Sequence, residues 1–283
     1  MTDAASNFLQ GKVDRILVPV DFSPKSMLAI EHAVVAARVY SASVTLLHVL
    51  DSTVFISGVL PGAVEEIASR AEAALESLAE SVREQQIPCS VLLREGDLDD
   101  QIEEIIAQEG IGILVLATEA GTAFGGLQLI STAERILRKT VIPVLTVTDR
   151  HSMKKWAGNG RLQVFYATDL SPASVRSLDH ARALQHRLPV DITIAHVVSS
   201  HASTGEIDAA SQQLKALAEG TSSRVVILRG KVGSAVCTAS QSAGADLIVV
   251  GVTHHSVLRE MLIGHTLLEI LSGAGCPVLT IRI

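Results

Sequence analysis

The stretch RILVPVDFSPKS at residues 15–26 decides the fold, because the chain repeats it as LQVFYATDLSPAS at 162–174. The residue types of Asp21, Ser23 and Pro24 recur 148 positions later. Both copies run from a short apolar segment into an Asp and then a Ser-Pro pair, which is typical of a buried strand followed by a capped helix. Self-similarity at a fixed spacing is the signature of a repeated unit.

Two further segments repeat in the same order along the chain. TLLHVLDS at 45–52 recurs as TIAHVVSS at 193–200, again 148 residues later. VIPVLTV at 141–147 recurs as GCPVLTI at 275–281, where the offset has fallen to 134. The first half is therefore 14 residues longer after its second apolar segment. Three anchors in one order indicate a tandem duplication.

Within each half, apolar segments alternate with stretches of helical periodicity. Runs such as 15–20 and 44–49 are apolar without alternation, which predicts strands covered on both faces, and 25–40 has the period of a helix between them. Alternating strands and helices form right-handed βαβ units and a parallel sheet. We therefore expect an α/β protein with two tandem doubly wound, Rossmann-like domains, at 1–150 and 156–283, each a five-stranded parallel sheet with helices on both faces.

Composition excludes several classes of protein. The 283 residues are 48% hydrophobic but only 3% aromatic, with a formal net charge of −7. This excludes a disordered chain and argues against a nucleic-acid binder, and no apolar run approaches the ~20 residues of a membrane span. Cys89, Cys237 and Cys276 are too scattered for a disulfide framework or a zinc ribbon, and the first residues lack a secretory signal. We expect a cytoplasmic location.

In an open α/β sheet, ligands bind beyond the carboxyl ends of the strands, where the strand order reverses. Asp21 and Asp169 follow the first strand of each half and have hydrogen-bond acceptors for a ribose or an adenine amino group. A turn or helix-start role explains them equally well. Ser23 and Ser171, each followed by Pro, are expected to be helix N-caps.

The loop after the fourth strand of the second half reads GVTHHSVLREMLIGHTLLEIL at 251–271. Gly251 follows the strand, and Gly264 is expected just before a helix that begins near Thr266. Such glycines allow backbone N–H groups and a helix N-terminus to approach an anion. Thr266 with Glu269 three residues later also fits a capping box, so capping alone explains the hydroxyl.

Both halves resemble the universal stress protein family, and the whole chain is similar to its tandem-domain members. The resemblance lies in VPVDFSP and ATDLSP, in LLHV and IAHV, and in STAERILRKTVIPVLTV and GHTLLEILSGAGCPVLTI, and it covers 12–148 and 160–283. It implies the adenine nucleotide alpha hydrolase-like sheet and self-association as a homodimer, with the two domains forming an internal pseudo-dimer through their last strands. We therefore predict that Leu145 and Leu279 lie on paired edges, within the chain or between chains.

Nucleotide-binding members of this family have Gly-x-x-Gly, nine residues, and then Gly followed by Ser or Thr. In the first half these positions are Ala117, Ala120, Ile130 and Ser131, so only the hydroxyl is kept. Side chains at the other three positions would obstruct close backbone approach. We therefore expect a degenerate nucleotide loop in the first domain.

The second half keeps more of the same pattern. Its positions are Gly251, His254, Gly264 and His265, with Thr266 one residue late. In the family, the Asp and Val of the first two strands flank adenine. The resemblance therefore implies that ATP or another adenine nucleotide, if any, binds the second domain through Asp169, Val197, Gly251, His254, Gly264, His265 and Thr266.

Histidines are concentrated near this loop. His254, His255 and His265 could donate to a phosphate, ligate a divalent metal, or be solvated loop residues. No HxH or HxxxH spacing is present, so no metal is implied with any precision. His48 and His196, at the ends of the second strands, are expected to be structural.

The resemblance implies a regulatory stress-response protein, and we predict no catalytic residues. The chain has no GxxxxGK[ST] loop and no assignable catalytic triad. Three alternatives stay open: an interaction scaffold that binds no nucleotide, a protein that binds metal through its histidine loop, and a slow ATPase.

Overall fold

The computed structural model describes residues 12–50, 61–118, 132–149, 156, 160–252 and 260–282. In the first domain, strands and helices alternate as the sequence predicts. Its elements are β1 (Arg15–Pro19), α1 (Pro24–Tyr40), β2 (Ser43–Leu50), α2 (Pro61–Arg83), β3 (Cys89–Glu95), α3 (Leu98–Glu109), β4 (Ile113–Ala117), α4 (Thr132–Lys139) and β5 (Val144–Val147).

The second domain repeats the same order of elements. They are β6 (Leu162–Ala167), α5 (Pro172–Leu184), β7 (Val190–Val198), α6 (Thr204–Ala218), β8 (Arg224–Arg229), α7 (Val232–Ser242), β9 (Leu247–Val252), α8 (Glu260–Gly273) and β10 (Val278–Arg282). The first helix of each domain starts as predicted. Ser23 and Ser171 are the N-caps of α1 and α5, and each is followed by Pro.

Each domain has the same strand order. The sheet runs β3-β2-β1-β4-β5-β10-β9-β6-β7-β8, and every pair within a domain is parallel. The order reverses between β1 and β4 in the first domain and between β6 and β9 in the second. The two doubly wound domains predicted from the sequence are confirmed, and a switch point lies at the carboxyl ends of these central strands.

The two domains share one sheet through their last strands. β5 and β10 pair antiparallel, with Leu145 directly opposite Leu279. Both leucines are buried. The predicted pairing of these edges is confirmed, and it occurs within the chain. Because the joining pair is antiparallel, the strands of the two domains run in opposite directions.

Two apolar layers cover the faces of this sheet, and each layer continues across the domain junction. On one face, α1, α2, α5 and α6 pack over β-branched and aliphatic side chains from both domains. On the other face, α3, α4, α7 and α8 do the same. Val, Ile and Leu fill both layers, which explains how a buried parallel sheet forms with so few aromatic residues.

Candidate functional site

A cavity of about 360 Å³ opens at the carboxyl edge of the second domain's sheet, beside the switch point. Its lining includes Asp169 after β6, Val197 near the end of β7, Gly251 in β9 and Thr266 in α8. The structure thus brings together four of the seven residues predicted for the site. Most other walls are aliphatic side chains of β9, α7 and α8, namely Val232, Val236, Val250, Val252, Leu267 and Ile270.

The other three predicted residues are placed differently. His254, like His255, lies outside the described residues, and so does the side chain of His265. Gly264 lies inside α8, which begins at Glu260. The expected helix start near Thr266 is therefore wrong, because the preceding Glu-Met-Leu-Ile segment consists of residues that are readily accommodated in helices. The N-terminus of α8 is consequently not beside Gly264.

Asp169 shapes the turn between β6 and α5. Its Oδ1 accepts a hydrogen bond from the Ser171 amide at 2.9 Å, and Leu170 between them has φ = 64°. Burial acts to raise the pKa of Asp169, but hydrogen bonds from Ser171 and Ser174 outweigh it and hold the pKa below its ordinary value. The side chain is therefore an ionised acceptor at neutral pH that serves the turn and also faces the cavity.

His196 links two strands and also lines the cavity. Its Nδ1 lies 2.8 Å from the Thr168 carbonyl, and in the first domain His48 Nδ1 lies 2.6 Å from the Val20 carbonyl. The structural role predicted for both histidines is confirmed. Because a carbonyl oxygen only accepts, Nδ1 is the donor in each of these hydrogen bonds. The predicted structural role at the end of the strand did not include His196 in the site, although this residue also lines the cavity.

A buried cluster of hydroxyl groups lies between the end of β6, which borders the cavity, and α5. Thr168 Oγ1 lies 2.6 Å from Ser174 Oγ, and the Tyr166 hydroxyl lies 3.0 Å from Ser177 Oγ and donates to the Ser174 carbonyl. These groups fix the carboxyl end of β6 against the first turns of α5. The first domain has mostly apolar residues at the corresponding positions, which are Val18, Val20, Ser26 and Ala29.

Gly251 is needed for packing on the opposite side of the sheet from α7 and α8. A Cβ at this position would lie 2.5 Å from Ser177 Oγ and 2.9 Å from Ser174 Cα. The absence of a side chain therefore allows α5 to approach β9 closely. The interpretation from the sequence, in which this glycine admits a ligand's phosphates, stays a prediction, and helix packing is an independent reason for the glycine.

The first domain differs in the helix pair that corresponds to α7 and α8. Buried Asp99 on α3 pairs through Oδ2 with Arg135 Nε at 2.6 Å and with Lys139 Nζ at 3.5 Å. In the second domain, Gly233 occupies the position of Asp99 and Glu269 that of Arg135, each 134 residues later. A Cβ on Gly233 would collide with the Glu269 side chain. An ion pair thus joins the helices in one domain, whereas close contact joins them in the other.

In the parts of the chain that the structure describes, no group of three or more His, Cys, Asp or Glu side chains is arranged to hold a metal ion. The described helices also include none that is long and apolar enough to cross a membrane. The candidate site consists of the cavity with its carboxylate and hydroxyl groups.

Fold and site define a doubly wound α/β domain, present twice, with a cavity at the switch point of the second copy. The model of the universal stress protein family matches residues 12–148 and 162–282. The chain therefore belongs to the universal stress protein family, with two family domains in tandem.

Individual relatives agree with this assignment. Universal stress protein MJ0531 of Methanocaldococcus jannaschii is 26% identical over 137 residues, which are 47% of this chain and 81% of that protein. A universal stress protein from Archaeoglobus fulgidus has a TM-score of 0.76 at 20% identity, covering 97% of this chain and 98% of the other. Protein PA1789 of Pseudomonas aeruginosa, described as functionally unknown, has a TM-score of 0.68 at 18% identity, covering 98% and 94%. These structures share the fold of the whole tandem chain.

Proposed function

We propose that the protein is a cytoplasmic regulator of the stress response that binds an adenine nucleotide in its second domain. The observation that carries this proposal is the cavity at the second switch point, where Asp169, Val197, Gly251 and Thr266 meet. Ligands of open α/β sheets bind at this position. The family membership supports a role in stress responses.

The chemistry of the cavity suits a nucleoside. Aliphatic walls from α7, α8 and β9 can cover the faces of a flat base. The ionised Asp169 can accept from an amino or ribose hydroxyl group, and Thr266 adds a hydroxyl to the lining. The His196 ring adds one further polar group to the lining.

The first domain is proposed to bind nucleotide weakly or not at all. Ala117 stands where the second domain has Gly251, 134 residues later. The remaining positions of the degenerate loop, at Ala120, Ile130 and Ser131, lie outside the described residues. Their side-chain types are the basis of this part of the proposal.

Titration of ATP, ADP and AMP into the full chain tests the proposal, with Asp169→Ala and Asp21→Ala as matched variants. Each variant loses the same turn hydrogen bond, because Asp21 Oδ1 also accepts from the amide two residues on, at Ser23. We expect one site per chain and about a 10-fold or greater loss of affinity in Asp169→Ala only, as for a charge-assisted hydrogen bond. Absence of saturable binding, or equal losses in both variants, would reject it.

Two alternatives have distinct outcomes in the same material. If native mass spectra show no co-purified nucleotide and titration shows no binding, the protein is an interaction scaffold. Slow ATP hydrolysis would appear as phosphate release that disappears in Asp169→Ala. Self-association stays a prediction, and a homodimer would need a surface other than β5 and β10, since these edges already pair within the chain.

A further inference from the structure

The turns that lead from β3 to α3 and from β8 to α7 have the same backbone. Gly96 and Gly230 have φ values of 126° and 121°. Their amides donate to the carbonyls of Leu50 and Val198, each at 3.1 Å. The two turns are therefore equivalent, and their side chains can be compared position by position.

The charges on these turns are reversed between the domains. Gly96 is flanked by Glu95 and Asp97, whereas Gly230 is flanked by Arg229 and Lys231. The reversal continues a wider difference between the two halves. Residues 1–150 carry 11 Lys and Arg against 21 Asp and Glu, and residues 151–283 carry 12 against 9, which gives formal charges of −10 and +3.

The acidic residue of the first turn has a structural role that its basic counterpart lacks. Asp97 caps α3, because its Oδ1 accepts from the Asp99 amide at 2.9 Å. Lys231 is the N-cap of α7 but makes no side-chain capping bond. Arg229 and Lys231 are exposed, and among the described residues neither forms an ion pair with a carboxylate. The described residues thus show no capping or ion-pair role for either charge.

Both cations are next to elements that line the candidate cavity. Val232 follows Lys231 directly, lines the cavity and is 44% exposed. β8 is the neighbour of β7, whose carboxyl end carries Val197 at the site. A positive rim beside a cavity raises the local concentration and affinity of anions, even without a direct contact.

We propose that Arg229 and Lys231 are specificity-determining residues that make the second-domain cavity prefer phosphate-bearing ligands over neutral nucleosides. This inference rests on the proposed function. The first domain, with Glu95 and Asp97 on the equivalent turn, repels the same anions. Ligand preference thus differs between the domains through the rim as well as through the glycine positions.

The test compares ATP with adenosine on the full chain carrying Arg229→Glu and Lys231→Asp, the residues of the first domain. We expect ATP affinity to fall about tenfold at low salt, adenosine affinity to stay within about twofold, and the salt dependence of ATP binding to become shallower. The milder Lys231→Gln, which removes a single charge, should lower ATP affinity about threefold and serves if the double variant does not fold.

A matched control changes the net charge equally at the opposite edge of the same domain. Arg224→Glu and Lys215→Asp lie at the start of β8 and in the last turn of α6. This variant should bind ATP within about twofold of the unchanged protein, because the charges are distant and screened. Equal losses in both double variants, or unchanged ATP affinity in the rim variants, would overturn the inference. Binding of neither ATP nor adenosine by the unchanged chain would instead reject the proposed function and the inference with it.

Discussion

The Tyr40 hydroxyl lies 2.7 Å from Nε2 of His180, in a buried hydrogen bond between the first helices of the two domains. Arg187 lies over the same ring, 5.6 Å from its centroid. Burial raises the pKa of Tyr40 more than nearby Arg187 lowers it, so the hydroxyl stays protonated. α1 and α5 are thus joined by a polar contact, in addition to the sheet.

Tyr40→Phe should lower the free energy of unfolding by about 1–3 kcal/mol, because it leaves the buried His180 nitrogen without this partner. Denaturant unfolding of Tyr40→Phe, His180→Leu and the double variant gives the coupling between the side chains. We expect a coupling of about 1 kcal/mol. Strictly additive losses would show that the contact contributes nothing of its own.

His32 occupies the position of His180 in the first domain, 148 residues earlier, and has a different environment. Its Nδ1 lies 2.9 Å from the Leu28 carbonyl, while Nε2 is buried without a hydrogen-bond partner among the described residues. Burial lowers the pKa of His32, against smaller opposing effects of Leu28 and Glu31. The folded protein therefore favours the neutral ring.

Stability should fall in acid partly through His32. Above the ordinary pKa of 6.5 the ring is neutral in both states, and as the pH falls below this value the unfolded chain takes up a proton first. His32→Leu should therefore lose less stability between about pH 7.5 and 5.5 than the unchanged protein. His186→Leu, which removes an exposed imidazole, is the control. Identical pH profiles for His32→Leu and the unchanged protein would contradict the prediction.

Gly251→Ala should lower the free energy of unfolding by about 1–3 kcal/mol, because the new methyl group overlaps Ser174 and Ser177. Ser177→Ala in the same chain should recover part of the loss. Gly205→Ala is the control, since no atom lies within 4 Å of a Cβ there, and it should not destabilise α6. Chemical denaturation measures all four chains. An unchanged free energy of unfolding in Gly251→Ala would mean that α5 moves away from the new methyl group without loss of stability.

Asp99→Asn should lower the free energy of unfolding by about 1–3 kcal/mol, since it removes a buried carboxylate that holds two cations of α4. The loss stays below that of a fully buried ion pair, because Arg135 and Lys139 are about half exposed. The neighbouring exposed Asp100→Asn should have little effect. Thermal and denaturant unfolding distinguish the two, and equal values would refute a special role for Asp99.

The fold and its central junction could be predicted from the sequence because the repeat fixes them. Matching apolar segments defined the strands of both copies, and two apolar terminal strands require a partner. That need predicts paired edges at Leu145 and Leu279, and the structure adds that the two residues lie opposite each other within the chain. The cavity residues Asp169, Val197 and Gly251 were found because each follows or lies at the end of a parallel strand.

Other features of the structure depend on how helices pack against strands, and the periodicity of apolar residues in the sequence does not contain that information. The predicted start of α8 near Thr266 is too late, because the segment before Gly264 forms helix and this glycine is not a loop residue. The packing reason for Gly251 needed the position of α5 on the sheet. The bond between Tyr40 and His180 joins two copies, and comparison of one copy with the other cannot reveal it.

The antiparallel pairing of β5 with β10 has an evolutionary consequence. When two identical chains form a dimer, every mutation appears twice, so neither site can be lost without the other. Covalent fusion removes this constraint, because each copy mutates alone while the shared sheet preserves the assembly. The antiparallel joint also points the two switch points toward opposite rims of the molecule, so that a change at one rim leaves the geometry of the other intact.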